Sequence, residues 1–215
     1  MSKRDFISKA SNPQINPAVT ELCNNVDDDC DGRVDEGCPK TLKQDSIELL
    51  ENAKDGELCS RWKNIGGGCH DKELDKVINY IKKSLEQSYW DSEVEVNSKK
   101  VFDYEMLAVT HCLRGPFKNL DPACGEAAGN LVEADRVIAN TTLETAKSLI
   151  VQNPKNQKCF DQETKKAELF YDEATNKISR KYQSLAILNY RLSWEHSQKA
   201  TEYATTNRRT CGGWS

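Results

Sequence analysis

Between Cys23 and Cys38 the chain carries acidic side chains at a spacing that few backbone conformations can use. Asp27, Asp29 and Asp31 alternate, Gly32 follows at once, and Asp35 stands four residues after Asp31. Alternate side chains on a tight loop point to one side. A loop that wraps a hard cation therefore offers oxygens at every second residue, and it needs a permissive residue where it turns sharply. Seven carboxylates (Glu21, Asp27, Asp28, Asp29, Asp31, Asp35 and Glu36) face one base, Arg33, so the segment repels itself unless a cation compensates it.

Set against a calcium-loop frame, Asp27 is position one, Asp29 three, Asp31 five and Gly32 six. Arg33 offers its backbone carbonyl at seven and Asp35 holds nine. Position twelve is Cys38 instead of a bidentate Glu, so Asp35, Glu36 or water must complete the shell. The loop is thus not an EF-hand. The expected metal residues are Asp27, Asp29, Asp31, Arg33, Asp35 and Glu36. The competing account is a solvated acidic run that binds nothing.

These residues resemble the Asp- and Cys-rich metal-binding motif of bacterial secreted and outer-surface proteins named after the copper protein MopE. They are also similar to thrombospondin type 3 and dockerin calcium loops. Asn25 replaces the usual Gly of the motif, and Asn is the next most tolerant residue of a left-handed angle. Such motifs often repeat, but only one copy is evident. The resemblance covers about eighteen residues, 21–38. The family name suggests copper. The segment has neither His nor Met, and clustered carboxylates favour Ca2+.

The net charge is −4, of which the segment from Glu21 to Cys38 contributes −6, leaving about +2 for the remainder. No basic footprint for nucleic acid stands out, since Arg208-Arg209 is too short a run. Nine cysteines in 215 residues, with no C-x-x-C pair, suit structural staples in an oxidising compartment. Expected pairs are Cys23–Cys30, Cys59–Cys69, Cys112–Cys124 and Cys159–Cys211, with Cys38 left over. Met1 to Ala10 lacks the apolar core of a secretory leader, so a mature or truncated chain is expected. No stretch approaches the ~20 apolar residues of a membrane span.

Residues 1–20, with Pro13 and Pro17, read as an extended arm or linker, and 21–38 as the metal loop. Residues 39–215 read as a helical bundle. Thr41 to Gln44 resembles a capping box opening a helix that ends at Asp55-Gly56. Asp71 caps a second helix, a third runs from about Ser98 to Leu113, and Asp121-Pro122 starts a long fourth that stops at Asn153-Pro154. Asp161 caps a fifth. Phe170, Ala174, Ile178, Tyr182, Ala186, Tyr190 and Trp194 recur every four residues. One unbroken helix would drift by about 40° per step, so a turn near 179–181 and an antiparallel hairpin are expected, with the aromatics in the core. The hairpin vaguely resembles a tetratricopeptide unit, without its repeat. The fold class is all-α: a disulfide-stapled antiparallel helical bundle with an N-terminal arm and an Asp-rich loop.

Three other chemistries fit less well. Asp27 to Asp31 matches the D-D-x-x-D string of all-α prenyl-chain enzymes, but it precedes the helices. Cys59, Cys69, His70, His111 and Cys112 could supply zinc ligands or a Cys-His nucleophile, yet they lack a standard spacing. Asn140-Thr141-Thr142 is a glycosylation sequon inside an expected helix. The sequence thus points to an extracellular or cell-surface calcium-binding structural protein, an adhesion, matrix or filament subunit, without enzymatic activity. Self-association through the arm or an unpaired cysteine is expected, with no nucleic-acid partner. The alternative is a secreted module that captures a peptide, glycan or metal.

Overall fold

The computed structural model describes residues 15–17, 19, 21–55, 71–114, 122–178 and 182–206. Among these there are six α-helices and no strand: α1 (Pro39–Asp55), α2 (Asp71–Ser84), α3 (Lys100–Arg114), α4 (Pro122–Ser148), α5 (Gln157–Thr175) and α6 (Gln183–Thr205). They pack as a disulfide-stapled bundle.

The long helix α4 lies at the centre, against α1, α3, α5 and α6. Its small residues, including Ala127, Ala128, Ala134, Ala139 and Ala146, are buried and admit its neighbours closely. Ile47 and Leu50 of α1, Val77, Ile78 and Ile81 of α2, and Val101, Phe102 and Val109 of α3 join Leu131 and Ile138 of α4 in the main core. A smaller cluster of Ala146, Phe160, Ala200 and Ala204 closes the other end.

Helix α1 begins two residues earlier than the capping-box reading placed it. Pro39 occupies its first position, where a missing N–H costs nothing. The first helical bond runs from Leu42 N to Cys38 O at 2.9 Å, so Cys38 is the residue from which the helix springs. Helix α4 stops at Ser148, short of the expected Asn153-Pro154, and a 3-10 turn over Pro154–Asn156 leads into α5. Asp161 therefore lies inside α5 instead of capping it.

The α5–α6 hairpin forms as the four-residue spacing predicted. Glu163 meets His196 near one end, whereas Tyr171 meets Tyr190 nearer the other, so the helices run antiparallel. Ala174 and Ala186 are buried at the contact, with Tyr190 and Trp194 in the core. Tyr182 and Ile178 depart from that expectation: they stand 45% and 46% exposed, because they lie beyond the ends of the packed helices. The turn at 179–181 lies outside the described residues.

Cys112–Cys124 joins α3 to α4 as expected. The pairing Cys23–Cys30 does not occur: Cys23 is bonded to Cys38, and Cys30 is free and exposed. Cys159 is also disulfide-bonded. The expected partners of the remaining pairs, Cys59, Cys69 and Cys211, lie outside the described residues.

Between α2 and α3, Trp90 pairs with Val96 in an isolated bridge, and its indole N–H donates to Ser84 O at 2.8 Å. Behind Trp90 sits a group of charges with no exposed surface: Lys43 of α1, Glu105 of α3 and Asp135 of α4. Lys43 Nζ is 2.7 Å from Glu105 Oε1 and 4.3 Å from the centre of the Trp90 ring.

Candidate metal centre

The loop is built by its own carboxylates before any ion is considered. Glu21 accepts backbone N–H bonds from Asp28 (2.6 Å) and Asp29 (2.9 Å) on one oxygen and from Asp35 (2.9 Å) on the other. Asp35 is buried and accepts from the N–H groups of Asn24 and Asn25, each at 3.0 Å. These two side chains close the segment on itself. The Cys23–Cys38 disulfide fastens its ends, with the Cα atoms 5.7 Å apart.

Local turns set the direction of the aspartates. Asp31 N donates to Asp29 Oδ1 at 3.0 Å, and Arg33 N donates to Asp31 Oδ1 at 2.8 Å. These side-chain-to-backbone bonds stabilise successive turns. Gly32 takes φ +98° and Asn25 φ +63°, the left-handed angles that the sequence assigned to these positions. Cys30 and Asp35 also adopt positive φ, at 63° and 55°.

The alternation has the consequence expected of it. Asp27, Asp29 and Asp31 each bring a carboxylate oxygen within 4.8 Å of the others. Asp28, the intervening residue, turns inward instead. It is buried, and its Oδ2 accepts from Leu22 N (3.2 Å) and Asn24 Nδ2 (2.9 Å). Glu21, Asp29 and Glu36 form a second group within the same 4.8 Å limit, so Asp29 belongs to both.

At 4.8 Å two ionised carboxylates repel by roughly 1 kcal/mol in water-like surroundings and roughly 3 kcal/mol near a protein surface. The carboxyl of Glu36 reports that crowding. Its own backbone N–H pulls its pKa down, but partial burial and the charges of Asp31, Glu21 and Asp29 outweigh this and raise it. Its Oε2 is buried without a hydrogen-bond donor. An oxygen-only donor set with an undonated buried acceptor suits a hard divalent cation.

Of the six expected metal residues, Asp27, Asp29, Asp31 and Glu36 thus fall into the two clusters. Asp35 braces the turn, and the Arg33 side chain reaches out to Asp45 at 3.7 Å, an exposed pair. Glu21 joins the second cluster although it stands outside the alternating frame. No spacing rule marks it, because it reaches the site by folding back over the loop. The end of the arm also meets the loop, where Asn16 N donates to Asp28 O at 2.8 Å.

Residues 10–36 match the family model Cu-binding_MopE, described as "Putative metal-binding motif". The match is confined to the end of the arm and the loop, the region whose carboxylates converge. No curated protein and no solved structure is similar enough to match the chain. The loop is therefore a metal-binding motif of the MopE type.

The rival chemistries find little support here. Asp27 to Asp31 lie in a loop, not on a helix. Cys112 is oxidised, so it is not a thiolate for zinc or for nucleophilic attack. His111 instead sits 3.7 Å from Glu73 and against Tyr80. Cys59, Cys69 and His70 lie outside the described residues. Asn140 lies within α4.

Proposed function

We propose that the loop binds Ca2+ and that the protein is an extracellular structural subunit, serving in adhesion, a matrix or a filament. The observation that carries the reading is the convergence of Asp27, Asp29 and Asp31, with Glu21 and Glu36 closing on the shared Asp29. The ligands are all carboxylate oxygens, the preference of calcium over copper, although the matching family is named for copper. Bound calcium would neutralise the crowding and stiffen the segment. Through Cys38, from which α1 springs, it would fix how the arm enters the bundle. The disulfides suit an oxidising compartment, and no described helix is long and apolar enough to cross a membrane. A structural role calls for no catalytic residue. The exposed Cys30 thiol is a means of joining neighbouring copies.

Calorimetric titration with Ca2+ and with Cu2+, paired with melting curves, tests the assignment. Calcium is expected to bind and raise the melting temperature. Asp29→Asn keeps the turn acceptor but removes the shared charge, and should weaken binding by about tenfold or more. A melt indifferent to calcium, or a preference for copper, would overturn it. Sedimentation and electron microscopy of wild type and Cys30→Ser, with calcium, test assembly. Strictly monomeric behaviour of the wild type would remove the structural role.

A further inference from the structure

The charges buried behind Trp90 do not balance. Lys43, Glu105 and Asp135 are each 0% exposed, and they come from three helices separated widely in sequence. Fully ionised, they hold one positive and two negative charges. The 2.7 Å contact from Lys43 to Glu105 is an ion pair without hydrogen-bond alignment, which leaves the second carboxylate uncompensated. An unpaired buried charge costs several kcal/mol, so such a group neutralises instead. Both carboxyl oxygens of Asp135 are buried without a hydrogen-bond partner, and the Glu105 charge acts against its ionised form. A carboxyl group so placed is held in its neutral, protonated form.

We propose that Asp135 holds its proton at neutral pH while Lys43 pairs with the Glu105 carboxylate, so that the core is net neutral and the bundle loosens as that proton is lost.

The groups facing Asp135 support this assignment. Glu105 from α3 and Lys43 from α1 are the charges that act on it. On α6, Arg191 pairs with Asp103 of α3. On α4 itself, Glu133 and Arg136 pair with each other, and Arg136 reaches Tyr171 of α5. Burial first, and then the Glu105 charge, push the Asp135 carboxyl well above the usual carboxylate range, while Lys43 opposes the shift.

A folded pKa above the unfolded one means that the native state holds the extra proton. Stability from this group is then complete below the ordinary aspartate range and declines as pH rises, until the folded pKa is passed. One proton gives a slope of up to about tenfold in the folding equilibrium constant per pH unit.

The test uses the full chain with its aspartates carbon-13 labelled. Folded wild type at pH 7 should show the label-shifted infrared band of a protonated carboxyl group, lost on unfolding and absent from Asp135→Asn. Denaturant unfolding from pH 5 to 8 should show wild type losing stability relative to Asp135→Asn by up to about tenfold per unit. Absence of the acid band from folded wild type overturns the proposal, as do parallel stability profiles. Should Asp135→Asn fail to fold, the labelled wild-type band and its loss on unfolding decide the matter alone.

Discussion

Replacing Cys23 and Cys38 together by serine removes the staple at the ends of the acidic loop. The bond spans 15 residues. Chain-entropy reasoning for a loop of that length assigns it about 3 kcal/mol of restriction on the open chain. Where that energy is lost depends on what opens. The helices are held by the buried contacts of Ile47, Leu50, Val77, Phe102, Leu131 and Ile138, none of which belongs to the loop. The loop is held by hydrogen bonds to Glu21 and Asp35 and by the staple itself. Without the disulfide, the loop should open as a local unit while the bundle stays folded. Calcium binding would then have to order the segment, and 3 kcal/mol corresponds to a dissociation constant raised by about 100-fold. Titration calorimetry on the oxidised protein and the double variant measures that shift, and the far-ultraviolet circular dichroism melt without calcium reads the bundle separately. Unchanged affinity would refute the reasoning. So would a bundle melt lowered by the full amount with affinity intact, since that would place the staple in the global fold.

Two further substitutions probe local terms. Gly32→Ala meets no neighbour within 4 Å, so its expected cost of about 1–2 kcal/mol comes from the left-handed backbone alone, and it should appear as weaker calcium binding while Asn25→Gly stays near wild type. On the α5–α6 hairpin, burial pushes the Glu163 carboxyl up, but bonds from Lys166 (2.7 Å) and His196 (2.6 Å) outweigh it and hold the pKa below its ordinary 4.5. A depressed carboxylate stabilises above the ordinary range and loses that contribution as pH falls through its folded value. Glu163→Gln should therefore cost up to about 1 kcal/mol at pH 7, with the gap to wild type closing below pH 4.5 in chemical denaturation. A gap that widens in acid would contradict the assignment.

The metal loop was legible because its information is local. Alternation at Asp27, Asp29 and Asp31 and the permissive residues Gly32 and Asn25 act over a few bonds, and the backbone obeys them directly. Helix existence was legible for the same reason. Boundaries were less so: Pro39 opens α1 ahead of Thr41, and α4 stops at Ser148, before the expected Asn153-Pro154.

Cysteine pairing was open in the sequence, since any two thiols near the loop are candidates. The hydrogen bonds of Glu21 and Asp35 bring residue 38, instead of residue 30, back to residue 23. The same folding-back recruits Glu21 to the second carboxylate cluster.

By itself the sequence determined an all-helical body and an oxygen-rich turn, because periodicity and ligand spacing act between near neighbours. Only the tertiary structure decided that Lys43, within the capping-box stretch Thr41 to Gln44, is buried against Glu105, with Asp135 buried as well. Compensation of a buried charge is settled by what other helices bring within a few ångströms, and no local pattern encodes that distance.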